Sequence, residues 1–259
     1  MNGVYTQRNG AVLEVVLDRS PANAIDPPTS RALGAAFVEL RDDPVLRVGI
    51  VTGGGERFFS AGWDLKAVAA GPPDGDWGPG GFAGLTELFD IGKPLIAAVN
   101  GLAAGGGFEL VLACDLVVAA SHAEFFLPEA RIGVIADAGG ALRLSRRLPH
   151  VIAMEMFLTG RRMGAQEALA RGLVNDVTPA SEVLPRARAL AEQICASAPL
   201  SIAAYKEVLQ RTESLAVPEA FRVMRSEACP AYHRMRASED FREGPRAFAE
   251  KRAPRWQGR

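Results

Sequence analysis

The chain has 259 residues, 48% hydrophobic and 23% charged, the balance of a globular protein long enough to bury a sizeable core. Its 29 basic and 30 acidic residues leave a net charge of −1, which argues against a general nucleic-acid or membrane-surface binder. Cys114, Cys195 and Cys229 are far apart with no C-x-x-C pair, so neither a disulfide framework nor a cysteine zinc site is indicated. No basic segment leads into an apolar stretch at the start, and no apolar run reaches about 18 residues; the expected location is the cytoplasm.

In chain order, residues 4–7 and 11–17 flank Asn9-Gly10, the dipeptide suited to a tight primed turn, and predict a hairpin. Pro27-Pro28-Thr29 opens an amphipathic stretch with Leu33, Phe37 and Leu40 at helical spacing, stopped by Asp42-Asp43-Pro44. Residues 48–52 read as a buried strand running into Gly53-Gly54-Gly55. Residues 71–82, dense in Gly and Pro, are expected to form a surface loop or lid. A second buried strand spans 95–99, followed by a glycine turn at 101–107 and a helical run at 108–113. Short strands follow at 114–120 and 124–127. Beyond about residue 179 the pattern is helical only, with helices expected over 182–198, 199–213, 217–236 and 238–251. The expected fold class is therefore α/β, with a core over 1–198 and a helical region over 199–259.

Two stretches carry the chemistry. Phe58-Phe59-Ser60-Ala61-Gly62-Trp63-Asp64-Leu65-Lys66 follows a strand, and its small residues permit a sharp bend after which Asp64 can cap a helix. Asn100-Gly101-Leu102-Ala103-Ala104-Gly105-Gly106-Gly107-Phe108-Glu109 again reads as strand, glycine turn and helix. Such turns present amide donors and a helix N-terminus to an anion that develops during reaction. No Lys-Ser/Thr follows the glycines, and the G-x-G-x-x-G spacing is missing, so a nucleotide phosphate loop is not indicated. Taken alone, each run is equally a tight turn without a ligand.

Together, F-S-A-G-x-D-L-K and K-P-x-I-A-A-V-N-G-x-A-x-G-G-G-x-E-L resemble the crotonase (enoyl-CoA hydratase/isomerase) superfamily. The resemblance continues through Ala113-Cys114-Asp115, Pro128-Glu129, Gly139-Gly140 and Leu144 to Ala168-Gly172-Leu173-Val174, nearly the whole chain. It implies a spiral of ββα units with a C-terminal helical trimerisation region, assembled as a homotrimer or a dimer of trimers. It also implies an acyl-CoA thioester substrate, an oxyanion hole of the Trp63 and Gly106 backbone N–H groups, and no metal or separate cofactor, coenzyme A being part of the substrate. Glu109 and Glu129 match the two glutamates of the hydratase members. Adding water to a conjugated thioester needs a base for the water and an acid for Cα, work that two carboxyls of unequal pKa can divide. Read without the family, Glu109 is a first-turn glutamate favoured by the helix dipole and Glu129 a loop residue.

Further substrate-binding candidates are Ala61, Asp64, Leu65, Asp137, Phe248 and Lys251, the last two in a segment that in the family reaches the CoA phosphates across a subunit boundary. Asp137 stands where many simple hydratases carry glycine. It has two open roles, the N-cap of a helix beginning near Gly140 or the proton-moving aspartate of isomerase-like members. The segments FFSAGWDLKA, GPGGFAGLTELF, LTGRRMGA and GPxAFAEKR resemble the branch of the superfamily that interconverts carnitinyl-CoA and crotonobetainyl-CoA. A trimethylammonium group would need an aromatic face or a carboxylate, and Trp63, Trp77, Phe82 and Asp137 are the candidates. The alternatives are a double-bond isomerase and a non-catalytic oligomer. His122, His150 and His233 have neither metal-ligand nor triad spacing.

Overall fold

The computed structural model describes residues 3–66 and 75–259. The chain divides into two compact units, Met1–Ala191 and Glu192–Arg259.

In the first unit, β1 (Val4–Asn9) and β2 (Val12–Leu17) form the antiparallel hairpin, with Gly10 at φ +57° in its turn. The two-residue strand β3 (Ala24–Ile25) leads to α1 (Pro27–Asp42), whose first positions are prolines, which lose nothing there because those N–H groups have no helical partner. The Asp26 side chain caps the helix by accepting from the Thr29 amide at 2.9 Å, and Leu33, Phe37 and Leu40 are fully buried.

From there strands alternate between two sheets. β4 (Val48–Gly53) joins the large sheet and β5 (Phe58–Ser60) the small one; β7 (Leu95–Val99) and β8 (Leu102–Ala104) repeat the step, as do β9 (Leu116–Ala120) and β10 (Glu124–Phe126). The large sheet runs β1-β2-β4-β7-β9 and ends on β12 (Asp176–Thr178), parallel from β2 onward, and the small sheet starts at β11 (Met163–Gly164) and continues β10-β8-β5. The pairing β3-β6 (β6, Gly62–Trp63) stands apart. This stepwise winding is the spiral that the family resemblance implies. Every residue of β4 and β7 is buried, as expected for parallel strands covered on both faces.

Helix α2 (Gly106–Ala113) follows β8, and α3 (Gly140–Arg147) and α4 (His150–Thr159) follow β10. β11 (Met163–Gly164), α5 (Ala165–Ala170) and β12 (Asp176–Thr178) return the chain to the large sheet. Within this unit the buried Glu14 of β2 holds Arg188 of α6 (Val183–Cys195) through paired bonds of 2.7 and 2.8 Å.

The second unit contains α7 (Pro199–Thr212), α8 (Val217–Arg225), α9 (Pro230–Ala237) and α10 (Glu239–Ala249). The single helix expected over 217–236 is in fact two. Ser226 is extended, and Pro230 has no N–H to continue a helix from residues before it. Buried Asp240 accepts from the amides of Gln257 and Gly258, and buried Glu243 pairs with Arg246 and Arg252, fixing the chain's end to α10.

The segment expected to be a surface loop over 71–82 is more constrained than its composition indicates. Residues 71–74 lie outside the described residues, but Phe82, Ala83 and Gly84 form a buried 3-10 turn. Ser30 of α1 donates to the carbonyls of Trp77 and Gly81 at 2.8 and 3.1 Å.

Candidate active site

The two glycine turns meet backbone to backbone. Ser60 donates through Oγ to the Asn23 carbonyl at 2.7 Å and accepts from the Gly62 amide at 3.1 Å, which bends the chain after β5. Gly62 then takes a left-handed φ of +79°, and a methyl group on it would lie 2.6 Å from both the Gly106 nitrogen and the Ala104 carbonyl oxygen. No residue with a side chain fits there. Asp64 donates its amide to the Ile25 carbonyl at 3.0 Å. Successive amides of a strand point to opposite edges, so the Trp63 N–H faces away from β3.

On the other side, Gly105 (φ +53°) is the N-cap of α2, and its carbonyl accepts from the amides of Phe108 and Glu109. The amide of Gly106, in the first turn, has no partner within the helix. The Phe82 ring lies directly on Gly106 and would overlap a methyl group there; Ser60 similarly backs onto Gly107. Three successive glycines are needed because three different groups approach the same turn: Glu129 at Gly105, Phe82 at Gly106 and Ser60 at Gly107.

Glu109 sits one turn into α2 and is only 4% exposed. Its Oε1 accepts from the Gly140 amide at 2.7 Å, the first residue of α3. Burial pushes its pKa up to about 7; the charges of Glu129 and Asp137 push the same way, while the Gly140 bond and Arg143 oppose them. Glu129 lies in a 3-10 turn (Glu129–Ile132) behind Pro128. Burial, and then the Asp137 charge, raise its pKa as well. A methyl on Gly105 would lie 3.0 Å from Glu129 Oε1, so this carboxyl is seated against the start of α2. Its Oε2 is buried with no hydrogen-bond partner among the described residues. Repulsion between neighbouring carboxylates, here buried Glu109 and half-buried Glu129, disfavours ionising both, and at neutral pH it favours a pair that retains one proton.

The chain matches the enoyl-CoA hydratase/isomerase family over residues 7–259. The chain belongs to this family. It is 58% identical over 257 residues to a carnitinyl-CoA dehydratase of Salmonella typhi, covering 99% of this chain and 98% of that protein. A carnitinyl-CoA dehydratase of Salmonella agona (strain SL483) matches at the same identity and coverage. The fold superposes on a crystal structure of enoyl-CoA hydratase from Mycobacterium tuberculosis H37Rv with a TM-score of 0.91, at 40% identity and full coverage of both chains. For an enoyl-CoA hydratase from Bacillus anthracis the TM-score is 0.90 at 31% identity, covering 99% of this chain and 100% of that one. The protein is thus an enzyme of the hydratase/dehydratase class, a lyase.

Within this family frame the other predicted residues separate. Trp63, Gly106, Glu109 and Glu129 come together around the N-terminus of α2. Ala61 donates its amide to the Ala22 carbonyl. Asp64 accepts from the Lys66 amide through Oδ1 and forms an ion pair with Arg19 at 2.8 Å through Oδ2, so the turn engages its carboxylate. Leu65 is 47% exposed. Phe248 and Lys251 belong to the second unit, Phe248 at 87% exposure and Lys251 with φ +53°.

Asp137 is not the helix cap. The N-cap of α3 is Gly139, and the amide at the helix start is taken by Glu109 from another element. Asp137 is exposed, with its charge felt by both glutamates. Sequence reasoning also passed over two supporting residues. Gly140 fixes one oxygen of Glu109. Arg143, one turn further along α3, has a guanidinium that lies across Gly139, donates to the Thr86 carbonyl and supplies a nearby positive charge. The Gly139-Gly140 pair was the available signal, since a glycine at a helix start leaves room for a side chain to reach the amide. Among the described residues, no group of His, Cys, Asp and Glu is arranged to hold a metal, and no helix is long and apolar enough to cross a membrane.

Proposed function

We propose that this enzyme interconverts crotonobetainyl-CoA and carnitinyl-CoA by adding or removing water across C2 and C3, using Glu109 and Glu129 as its acid–base pair. The observation that carries the acid–base assignment is the pair itself. Buried Glu109 and half-buried Glu129 flank one helix N-terminus; Glu109 holds its proton up to about pH 7, and Glu129 has a buried oxygen with no hydrogen-bond partner among the described residues. The acyl group is supported by the relatives at 58% identity over nearly the full chain.

In the hydration direction, the thioester carbonyl oxygen accepts from the amides of Trp63 and Gly106. These donors strengthen their bonds as the oxygen takes on enolate charge. The ionised carboxyl takes a proton from water as its oxygen bonds to C3, and the protonated carboxyl delivers its proton to C2. The pair then holds the same number of protons on exchanged members, and dehydration runs the steps in reverse. Glu109 enters this cycle anchored through Oε1, which leaves Oε2 for proton transfer.

The remaining roles belong to the same proposal. Ala61, Asp64 and Leu65 shape the turn that receives the thioester, and Asp137 tunes the glutamates from the rim. Residues 199–259 form the oligomerisation region of a homotrimer or a dimer of trimers, which buries apolar side chains such as Leu209 and Phe221, 62% and 50% exposed in the single chain. Phe248 and Lys251 reach the CoA of a neighbouring subunit.

The test is turnover of crotonobetainyl-CoA by the purified protein in ¹⁸O-water, with products identified by mass. Carnitinyl-CoA bearing one labelled hydroxyl oxygen is expected. Hydration of crotonyl-CoA with no turnover of crotonobetainyl-CoA would assign the enzyme to another acyl group.

A further inference from the structure

Three aromatic rings beside the oxyanion donors remain outside the acid–base scheme. The Phe82 ring lies against Gly106. Trp77 is 5.0 Å from Phe82 between centroids, at an interplanar angle of 57°. On its other side Trp77 meets Trp63 at 6.5 Å, nearly edge-on at 72°. The series therefore connects one donor residue, Gly106, to the other, Trp63. It is held from behind by α1, where fully buried Ser30 donates to the carbonyls of Trp77 and Gly81 and Arg31 donates to the Asp76 carbonyl at 2.7 Å.

Ordinary packing would orient such rings into the core. Phe82 is nearly buried, but Trp63 and Trp77 each keep partial exposure, beside the two proposed oxyanion donors. The chemistry of that substrate fixes where its charge must lie. In crotonobetainyl-CoA the quaternary nitrogen is four bonds from the thioester carbonyl carbon. A carbonyl held by Trp63 and Gly106 cannot place the ammonium far from either residue. A trimethylammonium group donates no hydrogen bond, so it is recognised by ring faces and by nearby negative charge. Asp137 and the ionised member of the Glu109–Glu129 pair supply that charge.

We infer that Trp63, Trp77 and Phe82 form an aromatic subsite for a quaternary ammonium group on the acyl chain, with Trp77 as the specificity-determining ring. The inference rests on the proposed substrate, and it makes a prediction of opposite sign to that of a plain apolar pocket. Such a pocket penalises a buried charge and favours a neutral group of equal shape. An aromatic subsite favours the cation.

The experiment compares kcat/KM for crotonobetainyl-CoA with that for 5,5-dimethylhex-2-enoyl-CoA, in which a tert-butyl group replaces trimethylammonium. The wild-type enzyme is expected to favour the cation by roughly two- to thirtyfold. Trp77→Leu should bring this ratio toward one or below, Trp77→Phe should retain most of it, and Trp63→Leu, which keeps the backbone donor, should lower it. A wild-type preference for the neutral ester, or a ratio unchanged in Trp77→Leu, overturns the subsite while leaving the hydratase reading intact. If Trp77→Leu does not fold, the wild-type ratio and the Trp77→Phe ratio decide. Absence of crotonobetainyl-CoA turnover beside normal crotonyl-CoA hydration overturns the substrate reading, and the subsite with it.

Discussion

Replacing Glu109 by glutamine should change how stability depends on pH, in a direction set by the burial of this residue. The folded carboxyl titrates at about 7, against an ordinary value of 4.5. Between these values the folded protein holds a proton that the unfolded chain releases, so wild-type stability falls as pH rises through the window and levels off above it. The difference of roughly 2.5 units corresponds to about 3 kcal/mol. Glutamine does not titrate, yet it keeps a carbonyl oxygen to accept from the Gly140 amide, which preserves the anchor of α3. The repulsion from the Glu129 charge is already contained in the raised Glu109 value. Relative to wild type, Glu109→Gln should therefore gain about 3 kcal/mol between pH 4.5 and pH 8.5, whatever its offset at the starting pH. Urea unfolding of both proteins at a series of pH values measures this. Protein concentration must be held fixed, because an oligomer's apparent stability depends on it. A stability difference independent of pH, or one that moves toward the wild type as pH rises, would refute the claim that burial holds the proton on Glu109.

Gly106→Ala pushes a methyl group into the Phe82 ring and should displace the proposed oxyanion donor, lowering kcat by about 10²–10³-fold; kinetics on crotonyl-CoA check this. Asp137→Asn removes a charge that raises both glutamate pKa values. The acid limb of kcat/KM should move to lower pH by a few tenths of a unit, and the shift should shrink in salt because Asp137 is exposed. Light scattering should give a trimer or hexamer, and a stable monomer at micromolar concentration would contradict the burial of Leu209 and Phe221 between subunits.

Much of the fold was legible because its signals are local. Asn9-Gly10 marked the hairpin, and the fully apolar runs of β4 and β7 marked buried parallel strands. The glycine motifs were legible because each glycine is there for a steric reason: Gly62 for contact with Gly106, and Gly105 to Gly107 for Glu129, Phe82 and Ser60. What escaped was set by partners distant in sequence. β8 falls within the expected glycine turn, since Leu102-Ala103-Ala104 is too short to show a strand period and becomes a strand only by pairing with β5 and β10. The N-cap of α3 is one of the two roles the sequence leaves open for Asp137, whereas Glu109, 31 residues from Gly140, takes that amide. The Gly- and Pro-rich segment carries no periodicity, yet its last turn packs on α1, where a methyl group on Gly84 would overlap the Gly34 nitrogen.

The central claim is that Glu109 and Glu129 act as one acid–base unit, and the most direct test is the kinetics of Glu109→Gln, Glu129→Gln and the double variant on one enoyl-CoA, with thioester binding measured in parallel. Each single variant is expected to slow hydration by about 10²–10⁴-fold with binding nearly intact. The double variant should be little worse than the slower single, because partners in one proton-transfer unit do not contribute additively. Near-wild-type turnover in either single variant, or losses that multiply in the double, would contradict it.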